Sequence, residues 1–287
     1  EYDYYVDGQL ETITEGTEVT RHLYDQANRL VGVDYPTDGI DDEGFSFDAA
    51  GNPTQGDFTV GQGNRIAGDG TTAYEYDPEG NLVRTVDLST GETSELTWDH
   101  RNRLTRVVTR DAASQVLWQL DNEYDGLDRR VRETYRESDS QQQLTIVDDR
   151  LFVYDGSELM AELIVDDQSV ATVDVVYFYE PETDHVHAQD FGDGTFHWLL
   201  HDRQMSTRLI VDPQSQIIDD LTYSAYGQVL GFAGDAPSSR ILYTGGQYVP
   251  SMELYYNRAR FYDPSIGRFL SADPSGFLGR DANLYRY

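Results

Sequence analysis

Short runs of alternating apolar and polar residues dominate the chain. Leu82-Val83-Arg84-Thr85-Val86, Leu104-Thr105-Arg106-Val107-Val108 and Leu144-Thr145-Ile146-Val147 each follow the two-residue period of a half-buried strand. Gly, Pro, Asn and Asp separate such runs at short intervals, which predicts many tight turns. Residues 151–156 and 158–165 read as the arms of one hairpin turning at Asp155-Gly156. Residues 172–179 (TVDVVYFY) form the most β-prone run; a free edge there would template aggregation, so pairing on both sides is expected. Residues 196–200 and 207–211 predict a further strand pair, and 221–230 and 241–244 lead into the terminal stretch. A helical period is suggested only over residues 251–260. The expectation is an all-β fold of antiparallel hairpins.

A unit recurs within this pattern: an aromatic residue, Asp, two variable residues, Gly or Asn, Arg or Asn, then usually Leu. Tyr24-Asp25 leads to Asn28-Arg29-Leu30, and Phe47-Asp48 to Gly51-Asn52 before Pro53 breaks the pattern. Tyr76-Asp77 leads to Gly80-Asn81-Leu82, Trp98-Asp99 to Asn102-Arg103-Leu104, and Tyr124-Asp125 to Asp128-Arg129-Arg130-Val131. Residues 5–10 are a looser first copy. The chemistry is that of a hairpin. Asp can accept from the amide two residues on and start a turn. Gly, Asn or Asp at the fifth position tolerates the positive φ that a type I turn with a following bulge requires. Leu then starts the return strand and packs against the aromatic across the pair.

Composition sharpens this picture. There are 21 Tyr against 3 Met and 3 Trp, a balance that favours strands over helices. The net charge is −31, from 21 basic and 52 acidic residues. A field of that sign repels nucleic acid and anionic membranes, and neither is expected as a partner. Cysteine is absent, which excludes disulfides, thiol nucleophiles and cysteine-based zinc sites. No stretch approaches the roughly 18 apolar residues of a spanning helix, so no membrane span is expected. The chain opens in mid-pattern at Glu1-Tyr2-Asp3, which reads as a piece of something longer.

Candidate chemistry is sparse. His185, His187, His197 and His201 cluster with Asp184, Asp190, Asp193 and Asp202. A His-X-His pair on a strand puts both rings on one face, which makes His185 and His187 weak metal candidates. Polar strand positions on an acidic surface account for them as well, because no spacing matches an established ligand motif. The acidic run at residues 38–43 (DGIDDE) lacks the ligand alternation of an EF-hand and reads as a solvated loop. No nucleophile elbow, P-loop or dinucleotide fingerprint is present. No cofactor is expected. Asp273, in Asp273-Pro274-Ser275-Gly276, is the one place where a carboxylate could act catalytically, although a turn explains the same residues. An acid pair of the aspartic-protease type needs a second carboxylate held close.

The aromatic-Asp units resemble the YD repeats of Rhs (rearrangement hotspot) proteins. The terminal stretch is similar to their core-associated C-terminal segment: Tyr256-Asn257-Arg258-Ala259-Arg260-Phe261-Tyr262-Asp263-Pro264, Gly267-Arg268-Phe269-Leu270-Ser271, Asp273-Pro274 and Asn283-Leu284-Tyr285. Residues 198–212 (WLLHDRQMSTRLIVD) and Tyr223-Ser224-Ala225-Tyr226-Gly227 also match. The resemblance implies a long sheet that spirals into part of a hollow shell, a β-cocoon. It divides the chain into a repeat hairpin array over residues 1–150, a continuing sheet strip over 151–240, and a terminal plug over 241–287. It further implies a shell around a C-terminal toxin, completed by the rest of the parent polypeptide or a partner chain. An extracellular adhesion or ligand-binding protein of the same architecture is the alternative. A conventional enzyme on a β scaffold is the third. A secreted or cell-surface location follows from either of the first two. Asp273 falls on the first Asp-Pro-X-Gly of the family's self-cleaving acid pair. The second would lie beyond Tyr287, so this chain holds at most half of that site.

Overall fold

The computed structural model describes residues 1–36, 40–180, 185–234, 236–279 and 281–287. It forms two compact units, Glu1–Gly70 and Thr71–Tyr287. In the first, strands Tyr2–Tyr4, Leu10–Glu15, Glu18–Tyr24, Leu30–Asp34 and Glu43–Gly44 pair in chain order, and Thr59–Val60 pairs with Ile66–Gly68. In the second, an antiparallel sheet runs without crossover from Thr72–Tyr76 through to Ile217–Asp220, each strand pairing with the next in the chain. The longest strand of this sheet is Leu144–Asp155, of 12 residues. The run TVDVVYFY lies in strand Ala171–Tyr179 and is paired on both sides, as its composition demands.

The repeat unit builds the turn that its residues specify. Asp25, Asp99 and Asp125 each accept two backbone amides on Oδ1, from the residues two and four positions on, at 2.8–3.1 Å. Asn28, Asn102 and Asp128 take φ of 60, 59 and 65°, the left-handed region. The register then shifts by one residue at Tyr24, Trp98 and Tyr124, the bulge that follows such a turn. The opposite ends of the same strands use this turn too, without the aromatic: Asp111, Asp139, Asp166 and Asp212 cap turns whose left-handed residues are Ser114, Gln142, Ser169 and Ser215. The sequence pattern missed these because neither the aromatic nor Gly or Asn marks them. Hairpins alternate ends along a meander, so every aromatic-Asp turn of the sheet falls on one margin and the unmarked turns on the other.

Residues 251–260, the expected helical stretch, are instead a turn followed by strand Leu254–Asn257 and the start of Arg260–Asp263. Tyr255 and Tyr256 are both buried, so neighbouring residues face apolar surroundings on both sides of the strand. That erases the two-residue alternation and imitates a helical spacing. With Gln247–Val249 and Arg268–Phe269 these strands make a four-stranded terminal sheet.

The terminal sheet shows that the long sheet curls. Ten inter-strand steps separate Leu82–Asp87 from Thr207–Val211, about 50 Å if the sheet were flat. Yet the Leu82 amide donates to the Leu270 carbonyl at 2.9 Å. Three residues earlier, a Cβ on Gly267 would lie 3.2 Å from the Tyr226 ring, in the turn after Thr222–Tyr223. Three residues reach at most about 11 Å. Tyr223, three residues before Tyr226, donates through its hydroxyl to the Thr207 carbonyl at 2.7 Å, so one short segment reaches strands that lie ten steps apart along the sheet.

Because Ser114 carries a Cβ in a left-handed conformation on an exposed turn, Ser114→Gly is expected to stabilise the protein by about 0.5–1 kcal/mol. Ser114→Val should destabilise it. Urea unfolding measures both, and a loss of stability with glycine would contradict the turn assignment.

Candidate functional site

The aromatic margin is held together by one repeated contact. Trp98 Nε1 donates to the Leu82 carbonyl at 2.7 Å, and the hydroxyls of Tyr124, Tyr154, Tyr179 and Tyr223 donate to the carbonyls of Leu104, Arg130, Leu159 and Thr207 at 2.7–3.1 Å. Leu82, Leu104, Arg130 and Thr207 open the return strand of the preceding hairpin, and Leu159 is the second residue of its own. The arginine of the unit completes the link. Arg103 pairs with its own Asp99 at 2.5 Å, donates to the Asp125 carbonyl of the next turn at 3.2 Å, and lies 4.8 Å from the Tyr124 ring. Arg129 does the same with Asp125, the Gly156 carbonyl and Tyr154. In the first unit, Arg29 does so with Asp25, the Asp48 carbonyl and Phe47.

The terminal segment docks on this margin. Thr207 donates through its hydroxyl to the Ile241 carbonyl at 2.6 Å. Tyr255 and Tyr262 hydroxyls donate to the carbonyls of Gly227 and Tyr226. Gly227 has φ of +91°, and a Cβ there would meet the Tyr243 ring at 2.3 Å, so no other residue fits. At the far end, Tyr285 donates to the Gly80 carbonyl at 2.8 Å and its ring packs 5.8 Å from Tyr76.

A buried ionic cluster pins the same segment to one face of the sheet. Arg240 approaches Glu133 at 2.8 Å, Asp148 at 3.1 Å and Glu162 at 3.6 Å. Arg150 pairs with Asp148 at 2.8 Å, Glu162 at 3.3 Å and Asp174 at 2.5 Å. Arg130, wholly buried, pairs with Glu133 at 2.5 Å, donates to Gln247, and sits between the rings of Phe152 and Tyr256 at 4.7 and 4.6 Å. Burial pushes the Glu133 carboxyl up, but Arg130 and Arg240 outweigh it and hold the group below the ordinary range. Burial, with the charge of Glu162 next, raises the Tyr177 phenol, which donates to Glu162 at 2.8 Å. Sequence reasoning missed this cluster. Glu162 is opposite Val175 while Leu163 is opposite Val173, so Asp174 is the extra residue of a bulge. That bulge turns its carboxylate onto the same face as Glu162.

Asp273 lies in the terminal segment as a turn cap. Its Oδ1 accepts the Ser275 hydroxyl at 2.6 Å and amide at 2.8 Å, and Oδ2 lies 3.1 Å from Arg260. The Ser275 hydroxyl foremost, with Arg260, holds its carboxyl below the usual range despite the opposing effect of burial. Among the described residues its bonding partners include no second carboxylate; Asp281 pairs with Arg286 at 2.6 Å. His187 stacks on Trp198 at 5.9 Å. His201 is pushed down to about 4, first by burial and then by the nearby His185 and His187. His197 points to the opposite, buried face beside Gln189, away from Trp198. Asp184 and Asp38 lie outside the described residues. Among the described residues, no group of three or more His, Asp and Glu is arranged to hold a metal ion, and no helix is long and apolar enough to cross a membrane.

Removing one partner of the buried cluster is expected to be costly. Glu133→Gln leaves two buried guanidiniums short of charge and should lose about 3–5 kcal/mol in urea unfolding. The folded-state pKa of Glu133 is depressed, so its contribution is present above the unfolded value and lost as pH falls through the depressed one. Stability should therefore fall more steeply below about pH 4 in the parent than in the variant. Equal stabilities of the two at pH 7 would contradict the pairing.

A family model described as the teneurin YD-shell matches residues 1–287. Double-stranded DNA deaminase toxin A of Burkholderia cenocepacia is 31% identical over 93% of this chain and 20% of its own length. Probable deoxyribonuclease RhsB of Dickeya dadantii is 26% identical over 96% of this chain and 20% of its own. A crystal structure of TcdB2-TccC3-TEV covers 100% of this chain and 18% of that one, at 17% identity and a TM-score of 0.46. The chain thus spans about a fifth of the length of the curated relatives it matches. With the family model matched from end to end, the repeat hairpins and their docked terminal segment belong to the teneurin YD-shell family.

Proposed function

We propose that the chain is a closing portion of a structural β-shell that encloses a toxin domain of its parent polypeptide, secreted or displayed at the cell surface. One observation carries this reading. The terminal segment touches Leu82 and Tyr226 within four of its own residues, although the strands beside them lie ten steps apart along the sheet, so the fold spends its most diagnostic residues on closure. The buried charges, four carboxylates and three arginines, fasten the terminal segment to the wall.

Closure suits a container. A curled and capped sheet has fewer free strand edges, and it separates what lies inside from proteases and solvent. In such a parent, Asp273 would supply one carboxylate of a self-cleaving pair, the second coming from elsewhere in the polypeptide. Its present partners, Ser275 and Arg260, keep it ionised, which is the state required of one member of such a pair.

The test uses the intact parent polypeptide. Under native conditions, its toxin domain should survive a protease that digests the same domain expressed alone. Self-cleavage seen on a gel should disappear with Asp273→Asn. Equal digestion of the enclosed and free domain would overturn the container, and unchanged cleavage in the variant would remove Asp273 from the mechanism.

A further inference from the structure

A cavity of about 670 Å³ opens beside the ionic cluster, between the sheet face and the segment that carries Arg240. That volume is in the range of small-molecule sites. Its walls alternate carboxylates with rings: Glu137, Asp174 and Asp148 line it together with Tyr135, Tyr177 and Tyr248. We propose that this cavity binds an organic cation, a guanidinium or primary ammonium carried on a short apolar stem.

Charge matching decides against an anion. Arg240 and Arg150 each already meet three carboxylates within 3.6 Å. Arg130 is occupied by Glu133 and Gln247. Among the described residues no guanidinium of the wall is left over. The carboxylates are in surplus instead: Glu133, Asp148, Glu162 and Asp174 face three arginines, one of which reaches only Glu133. Glu137 at the rim adds a further negative charge and, among the described residues, its carboxylate accepts only the Tyr135 hydroxyl, at 3.0 Å.

A second observation points to a donor from outside. Gln189 is fully buried and lines the cavity. Its amide nitrogen donates to the Ser238 carbonyl at 2.7 Å, which fixes the orientation of the amide. Among the described residues its Oε1 has no hydrogen-bond partner. A buried acceptor without a donor costs about 1–3 kcal/mol. A guanidinium or ammonium supplies the missing hydrogen, its charge answers the carboxylate surplus, and the tyrosine rings accept its stem and its cationic face. The cation can be a free small molecule or the side chain of an arginine in a polypeptide.

Isothermal titration of the 287-residue chain with agmatine tests this. Saturable binding at one site is expected, weakened about tenfold by Glu137→Gln, the worth of one charge-assisted contact. Glu137 is exposed at the rim, so that variant keeps the cluster and the fold. Glu95→Gln, an exposed carboxylate on another strand, should leave the affinity unchanged. The peptide Gly-Arg-Gly binding more tightly than agmatine would identify a polypeptide arginine as the occupant; weaker binding would identify a free cation. The proposal is overturned by absence of saturable binding of either probe at millimolar concentration, by equal losses in the two variants, or by butanoate binding in place of agmatine.

Discussion

Four successive hairpins of the long sheet each hand one hydrogen bond back to the hairpin before it. The donors are the aromatics Trp98, Tyr124, Tyr154 and Tyr179 at the turns, and the acceptors are carbonyls at the start of the preceding return strands. Such a carbonyl lies next to the turn bulge, where ladder pairing is interrupted and a buried acceptor would otherwise stay unmet. The aromatic thus repairs the defect that the Asp turn creates. This explains why ring and Asp travel together in sequence, and why Arg follows them. Its planar fork joins its own Asp to the next turn's carbonyl while its face covers the next ring.

The terminal segment uses the same vocabulary at the point of closure. Tyr255, Tyr262 and Tyr285 donate to the carbonyls of Gly227, Tyr226 and Gly80, as the repeat aromatics do to their neighbours. Around them, tyrosine and phenylalanine rings pack at centroid distances of 4.3–6.4 Å. Hydrophobic packing supplies attraction there, while the hydroxyls fix register. The buried ions act differently. Desolvating three arginines and four carboxylates is costly, and the network therefore adds little net stability for its size. Arg240 can satisfy Glu133, Asp148 and Glu162 only when its segment crosses the sheet at one position.

The all-β fold, the hairpin turns and the family were legible because each rests on local chemistry. Asp25, Asn28 and Arg29 lie within five residues and act on one another. The paired edges of Ala171–Tyr179 followed from composition alone. What escaped was non-local or hidden by bulges. Glu133 and Arg240 are 107 residues apart and meet only after the strip has curled. Asp174 faces inward because of one extra residue in its strand, which no two-residue pattern reveals. Ser114 and Gln142 adopt the left-handed turn conformation without being the residues that usually announce it. The helical spacing over 251–260 arose because both faces of that strand are buried. Asp273 was singled out by its motif; its partners Arg260 and Ser275 place it in a turn whose amide is held by Leu284.

The central claim is that the terminal segment brings together strands ten steps apart along the sheet. The chain has no native cysteine, so spin labels can be placed cleanly at two introduced ones. Glu79 and Gln228 are exposed and sit at the turns whose neighbours, Gly80 and Gly227, receive the tyrosine hydroxyls of the segment. Pulsed dipolar spectroscopy between these labels should give a distance of about 25 Å or less if the sheet is curled and closed, and a distance near 50 Å, the span of an uncurled strip, would contradict the account.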